Sequence, residues 1–250
     1  MSWDTTMTRT ESPLANADPL DRPAYSLALA ARYVGMPAVT LKTWVMGRRY
    51  PTREGSGWSS ALIELPDARR QELSFWNLVE AWVLRAMRVE HGHTMHEIRR
   101  ALDYVAGKLH VPRPLAHRSW ETDGARLFVE YENLHLQAAL GTGQLVQEWY
   151  VAYLERIAWN AAGMADLLFP FTRPVNGAHD PPRVVAITPK VAFGQPVIER
   201  RGVPTEAVFD RWRGGDSPGH LARDYDLTPD EVDEALRWEA YLIEAKAKAA

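Results

Sequence analysis

The sequence predicts an α+β protein, mainly helical and built from more than one unit. Three observations predict it. Capped, helix-period apolar patterns recur at both ends of the chain. Short extended segments around glycine turns lie between them. Charge is segregated along the chain. The 250 residues are 46% hydrophobic and 24% charged, an ordinary globular balance, and the length fits one or two domains. With no cysteine, a disulfide scaffold, a thiol nucleophile and a Cys-based zinc site are excluded. No apolar run approaches the roughly 18 residues of a membrane span, and the start lacks a signal-peptide stretch, so a cytoplasmic protein is expected.

Residues 1–22 are polar and proline-punctuated, and read as a flexible tail. Ser26 is a candidate N-cap for a helix carrying Leu27, Ala30, Ala31 and Val34 at helical spacing. Gly35-Met36-Pro37 breaks it. A second short helix follows, with Leu41, Trp44 and Val45 facing inward by the i, i+3, i+4 rule. That leaves Thr40, Lys42, Thr43 and the backbone near Ala38 facing out. Gly47 to Pro51, a Gly55-Ser56-Gly57 turn and Trp58 to Leu65 read as a β-hairpin wing. Ser74 opens a long helix on Phe75, Leu78, Val79, Trp82, Val83 and Met87, which His91-Gly92-His93 ends. Thr94-Met95-His96-Glu97 is a capping box for the next helix, on Ile98, Ala101, Leu102, Val105 and Leu109.

The middle predicts hairpins at Ser119 to Tyr131 and Ile157 to Phe171, a loop at Gly141 to Gly143 and a helix near Leu145 to Tyr153. Trp120, Phe128 and Tyr131 are expected to fill a small core there. The prolines and glycine of 172–183 make the best linker, and few core contacts are expected to cross it. A strand at Val184 to Ile187 then precedes helices at Pro204 to Trp212, Ser217 to Tyr225, and from Thr228 through Leu242, with the last residues fraying. The expected division is a tail at 1–22, a head at 23–110, a β-rich middle at 111–175, a linker at 176–183 and a helical unit at 184–250.

Between Arg22 and Arg53 stand six cations (Arg22, Arg32, Lys42, Arg48, Arg49 and Arg53) and no acid. Between Glu206 and Glu244 stand eleven acids and four arginines, a net −7, against −3 for the whole chain. The basic end suits a phosphate backbone; the acidic end suits a basic protein surface. A helix-turn-helix sets outward polar side chains against base edges while flanking cations hold phosphates. Ala38, Thr40, Lys42 and Thr43 fit the first role, and Arg48, Arg49, Tyr50 and Arg53 the second. In the acidic end, Trp212, Asp216, Asp224, Tyr225, Trp238 and Tyr241 are candidate partner contacts, although aromatics at helical spacing are more often core. His91, His93 and His96 lack the further ligands of a metal site. Gly141-Thr-Gly143 lacks a phosphate-cradling lysine. Glu130 and Glu132 read as exposed strand carboxylates rather than an acid–base pair. No cofactor and no catalysis are expected.

The run from Tyr25 to Pro37, then Thr40-Leu-Lys-Thr-Trp44, the wing, and Gly92-His-Thr-Met-His-Glu97-Ile98 resemble MerR-type winged helix-turn-helix regulators over about residues 24–109. No long coiled coil or cysteine effector site follows. A second resemblance lies in Ile187-Thr-Pro189, Phe193-Gly194-Gln-Pro196-Val-Ile198, Gly202-Val-Pro204-Thr205, Gly215-Asp-Ser217 and Leu221-Ala222-Arg-Asp224-Tyr225. These blocks look like a small domain of unassigned function typical of antitoxins encoded beside PIN-like ribonuclease toxins. The family's Gly-Thr-Arg step here reads Arg200-Arg201-Gly202. Together the two ends resemble long VapB-type antitoxins. The resemblance implies a homodimer that binds operator DNA, neutralises a PIN-like ribonuclease toxin and represses its own operon. One alternative is a MerR-like regulator with a ligand-binding middle and no toxin. Another is an adaptor that uses both ends for protein contacts.

Overall fold

The computed structural model describes residues 18–52, 55–90, 94–111, 113–121, 152–173 and 182–249. Helices and small antiparallel sheets mix, an α+β architecture. The chain enters through a short 3-10 turn at Pro19–Asp21, whose Leu20 is buried. The expected flexible tail is therefore packed from its last few residues onward. Strand β1 (Tyr25–Ser26) leads into α1 (Leu27–Val34). Ser26 Oγ accepts the Leu29 N–H at 3.3 Å, the expected N-cap. Helix α1 ends at Gly35, whose left-handed φ of 75° directs its N–H back to the Ala31 and Arg32 carbonyls. Helix α2 (Ala38–Met46) starts after Pro37 and buries Leu41, Trp44 and Val45.

Strands β2 (Arg48–Thr52) and β3 (Gly55–Ser59) pair as a hairpin with Arg49 opposite Trp58 and Tyr50 opposite Gly57. The glycines expected to form its turn instead lie within β3, and Ala61 to Leu65 form no strand. Strand β4 (Glu72–Leu73) pairs with β1. Helix α3 (Phe75–Arg85) then runs through the centre, with Phe75, Leu78, Val79, Ala81, Trp82, Val83 and Leu84 all buried. A helix apolar on so many sides must be surrounded. Helix α4 (Met95–Leu109) has the expected capping box between Thr94 and Glu97. His91 and His93 lie outside the described residues.

Of the middle region, Trp120 is fully buried in the main core. Ser119 to Glu121 form helical turns rather than a strand. The remainder of that expected hairpin, the Gly141 to Gly143 loop, Glu130, Glu132, Phe128 and Tyr131 lie outside the described residues. Strands β5 (Ile157–Trp159) and β6 (Ala165–Leu168) form the second expected hairpin. It leans on α3: Trp76 Nε1 donates to the Ala165 carbonyl at 3.1 Å, and Trp82 Nε1 to the Tyr153 carbonyl at 3.0 Å. The rings of Trp82, Tyr153 and Phe171 cluster with centroids 4.9–5.1 Å apart, Tyr153 and Phe171 edge to face.

The C-terminal unit joins β7 (Val185–Ala186), β8 (Val197–Ile198) and β9 (Val203–Pro204) in one sheet, with β8 central. Helices α5 (Thr205–Arg213), α6 (Pro218–Asp224) and α7 (Pro229–Ala249) follow. They close a core of their own around Ile198, Val208, Leu221, Leu227, Val232 and Ala235. Thr228 and Glu231 make the reciprocal cap of α7, and that helix runs on through the residues expected to fray.

The two ends do not pack apart. Val185, Ile187 and Trp238 belong to the same core as α1 and α3, and Leu168 pairs with Ile187 through reciprocal backbone hydrogen bonds of 3.1 and 2.8 Å. The buried Glu234 of α7 binds Thr172 Oγ1 and the Arg173 guanidinium. The described edges of the expected linker are thus anchored, and a cut within it would uncover Trp238 and strand Glu234. A buried polar cluster ties the head together: Arg113 reaches Asp21 at 2.9 Å and Glu80 at 3.2 Å, and Asn77 Nδ2 donates to Glu80 at 2.9 Å. Burial pushes the Glu80 carboxyl up, and Arg113 pulls it back.

Candidate nucleic-acid interface and tail surface

The described cations of the basic end lie on α2 and on the hairpin that follows it. With Leu41, Trp44 and Val45 turned inward, Val39 and Lys42, three residues apart, face out together, while Met46 packs partly against the core. Lys42 is exposed, while Ala38, Thr40 and Thr43 are half-buried. The Thr43 hydroxyl donates to the Thr40 carbonyl at 2.8 Å. That leaves only its lone pairs to an outside donor. Val39 is exposed as well, at 70%. Sequence reasoning passed over it because it sought polar base contacts.

Past Gly47, Arg48, Arg49 and Tyr50 are exposed on β2. Arg53 lies outside the described residues. Strand alternation sends Arg48 and Tyr50 to one face of the hairpin and Arg49 to the other, beside Trp58. Trp58 is 60% exposed, a feature read in the sequence only as a strand start. The Tyr50 ring lies flat over Gly57, where any Cβ would fall 2.5–2.9 Å from its ring atoms. A glycine there lets the ring approach.

Two fastenings hold the segment that leaves the hairpin, one to α2 and one to α4. The Leu62 and Ile63 N–H groups both donate to the Trp44 carbonyl, at 2.7 and 3.1 Å, and so cap the open end of α2. From α4, the Arg99 guanidinium donates to the Ser60 carbonyl at 2.6 Å and to the Ala61 carbonyl at 3.2 Å. The only trace of this fork in the sequence is a cation one residue after the inward Ile98.

The tail residues divide. Trp238 is buried at 1% exposure, its ring 6.1 Å from Tyr33 and 5.6 Å from Tyr241. Tyr241 is half-buried, its hydroxyl 3.5 Å from the Arg32 carbonyl of α1. Both rings join α7 to α1, which places them in the interior packing rather than among surface anchors. Trp212 is 43% exposed. Asp216 and Asp224 are held by one guanidinium: Arg211 Nε meets Asp216 at 2.6 Å and Nη2 meets Asp224 at 2.8 Å. Arg211 also lies over the Tyr225 ring at 5.2 Å. Its hydrogen bonds keep both carboxyls below the usual carboxylate range. These acids are therefore part of a local framework, and Glu206, Asp210, Asp230 and Glu244 carry exposed negative charge around it.

The structure adds a feature that the sequence did not single out as a contact. Phe193 is 97% exposed, and both it and Ala192 hold left-handed φ values, 54° and 46°. Two successive non-glycine residues in that region are strained.

Comparisons with known proteins bear on both ends. Residues 185–238 match the family described as "Protein of unknown function (DUF433)". A protein of Mycobacterium tuberculosis (strain ATCC 25618 / H37Rv), named "Putative antitoxin VapB45", is 31% identical over 233 residues, 86% of this chain and 93% of its own. The crystal structure of Rv2018 from Mycobacterium tuberculosis superposes with a TM-score of 0.62 at 28% identity. It covers 87% of this chain and 99% of that one. The chain belongs to the VapB antitoxin family. No helix among the described residues is long and apolar enough to cross a membrane.

Proposed function

We propose that this chain is the antitoxin of a toxin–antitoxin pair whose head is a MerR-like winged helix-turn-helix that binds its own operator, and whose acidic tail binds and neutralises a PIN-like ribonuclease. One observation carries the DNA reading: the exposed cations of α2 and β2 fall in a 32-residue stretch with six positive charges and no acid. Lys42 sits where a recognition helix meets the major groove, and Arg48 and Arg49 sit where a wing meets phosphates. The tail supports the second half, since its net −7 opposes DNA and complements a basic RNA-binding groove. Trp212 is its exposed aromatic. Inhibition then comes from occluding the ribonuclease site, with no chemistry in this chain. Two heads in a homodimer supply the spacing of a palindromic operator.

The test is a salt titration of the protein on the DNA upstream of its own coding sequence. Replacing Arg48 and Arg49 together by Ala weakens binding and flattens the slope of log affinity against log salt by about two, one counterion for each lost phosphate contact. Unchanged affinity and slope would remove the phosphate role.

A further inference from the structure

We infer that Val39 is a base-reading residue that takes the 5-methyl group of thymine in the major groove, an inference that rests on the DNA reading above. Val39 is the second residue of α2 and is 70% exposed, the only large apolar side chain of that helix open to solvent. The core beneath α2 does not use it, because Leu41, Trp44 and Val45 fill that side. It faces out together with Lys42 and stands at the N-terminal end of the helix. That end is where a recognition helix first reaches base edges.

Exposed Lys42, Arg48 and Arg49 occupy the same stretch of chain, so a partner must offer dense negative charge with a small apolar spot inside it. The major groove of DNA does so: its edges are polar except at the thymine methyl. Branching at Cβ fixes the valine methyls in essentially one rotamer on a helix. They are presented without loss of side-chain freedom on binding. An apolar protein partner fits less well, since α2 itself offers no second exposed large apolar side chain and exposed Lys42, Arg48 and Arg49 lie on the same helix and the strand after it.

The experiment uses the full chain and the DNA upstream of its coding sequence, amplified once with dTTP and once with dUTP, which deletes only the methyl groups. Affinities are read by fluorescence anisotropy at one fixed salt concentration. The native protein is expected to prefer the thymine DNA by about fourfold for each methyl it buries. Val39→Ser should bind both DNAs alike, at the native protein's affinity for the uracil DNA, while Val39→Ile keeps the preference. The exposed position leaves folding undisturbed, which the thermal unfolding midpoint checks. Equal affinity of the native protein for the two DNAs overturns the inference while leaving the DNA reading intact, as does a preference that survives Val39→Ser. Binding to neither DNA overturns the DNA reading itself, and the role of Val39 with it.

Discussion

Arg200 shows how a single side chain can set the tail's response to acid. Its guanidinium meets Glu231 at 2.7 and 2.8 Å and the Asp226 carbonyl at 2.6 Å, joining the β8–β9 turn to the first turn of α7. These bonds, with the Thr228 N–H of the cap, pull the nearly buried Glu231 carboxyl from 4.5 to about 2. A carboxyl whose folded value is depressed stabilises the fold above its unfolded value and loses that contribution as the pH falls through the folded one. The native protein should therefore lose stability between about pH 4.5 and pH 2. Arg200→Gln should be less stable at pH 7 and lack the part of that fall that Glu231 contributes, so that denaturant unfolding curves of the two proteins converge toward pH 2. A constant gap between them across this range would show that Arg200 acts by some other route. The position is also where the chain departs from the family's Gly-Thr-Arg step. Its structural work is visible only once the turn is seen beside α7.

Helix by helix, the pairing of α1 with α2 depends on the turn at Gly35. The left-handed backbone there favours glycine, and a Cβ would lie 2.6 Å from the Tyr241 hydroxyl of α7 and 3.7 Å from Arg85 Nε. Gly35→Ala should cost about 2 kcal/mol, combining left-handed strain of roughly 1–2 kcal/mol with displacement of the tyrosine. Adding Tyr241→Phe, which removes the obstructing oxygen, should recover part of the loss in a double-mutant cycle measured by denaturant unfolding. Strict additivity would mean that α7 does not press on the turn. The sequence made α1, α2, α3 and α4 legible because caps at Ser26, Ser74 and Thr94 mark three of their starts, the Gly35-Met36-Pro37 break precedes α2, and apolar spacing marks their buried sides. It did not reveal what covers each side. Trp238 and Tyr241 lie on a helix face that is apolar by spacing, and spacing alone cannot tell a surface anchor from a side chain packed against α1, more than 200 residues earlier. Val39 was missed for a related reason. Its apolar character argues for burial and against the polar base contacts sought on that helix, whereas the structure leaves it 70% exposed.

Across the whole molecule, the cations and acids that the sequence separates lie on two cores that α7 joins, Trp238 packing in the first and Val232 and Ala235 in the second. Val185, Ile187 and Trp238 pack with the head, and Glu234 fastens Thr172 and Arg173 to α7. The α1–α2 pair and helix α7 thus meet directly, at Tyr241 and the Gly35 turn. The most direct test of the central claim is the ribonuclease activity of the proposed toxin, a small protein expected to be encoded beside this chain, followed as the full-length chain is titrated in. The account predicts that activity falls to background at a stoichiometric ratio. Reversing the charge of Glu206, Asp210 and Glu244, exposed acids outside the core, should shift that endpoint to a large excess. Activity that persists at excess native chain would contradict the account.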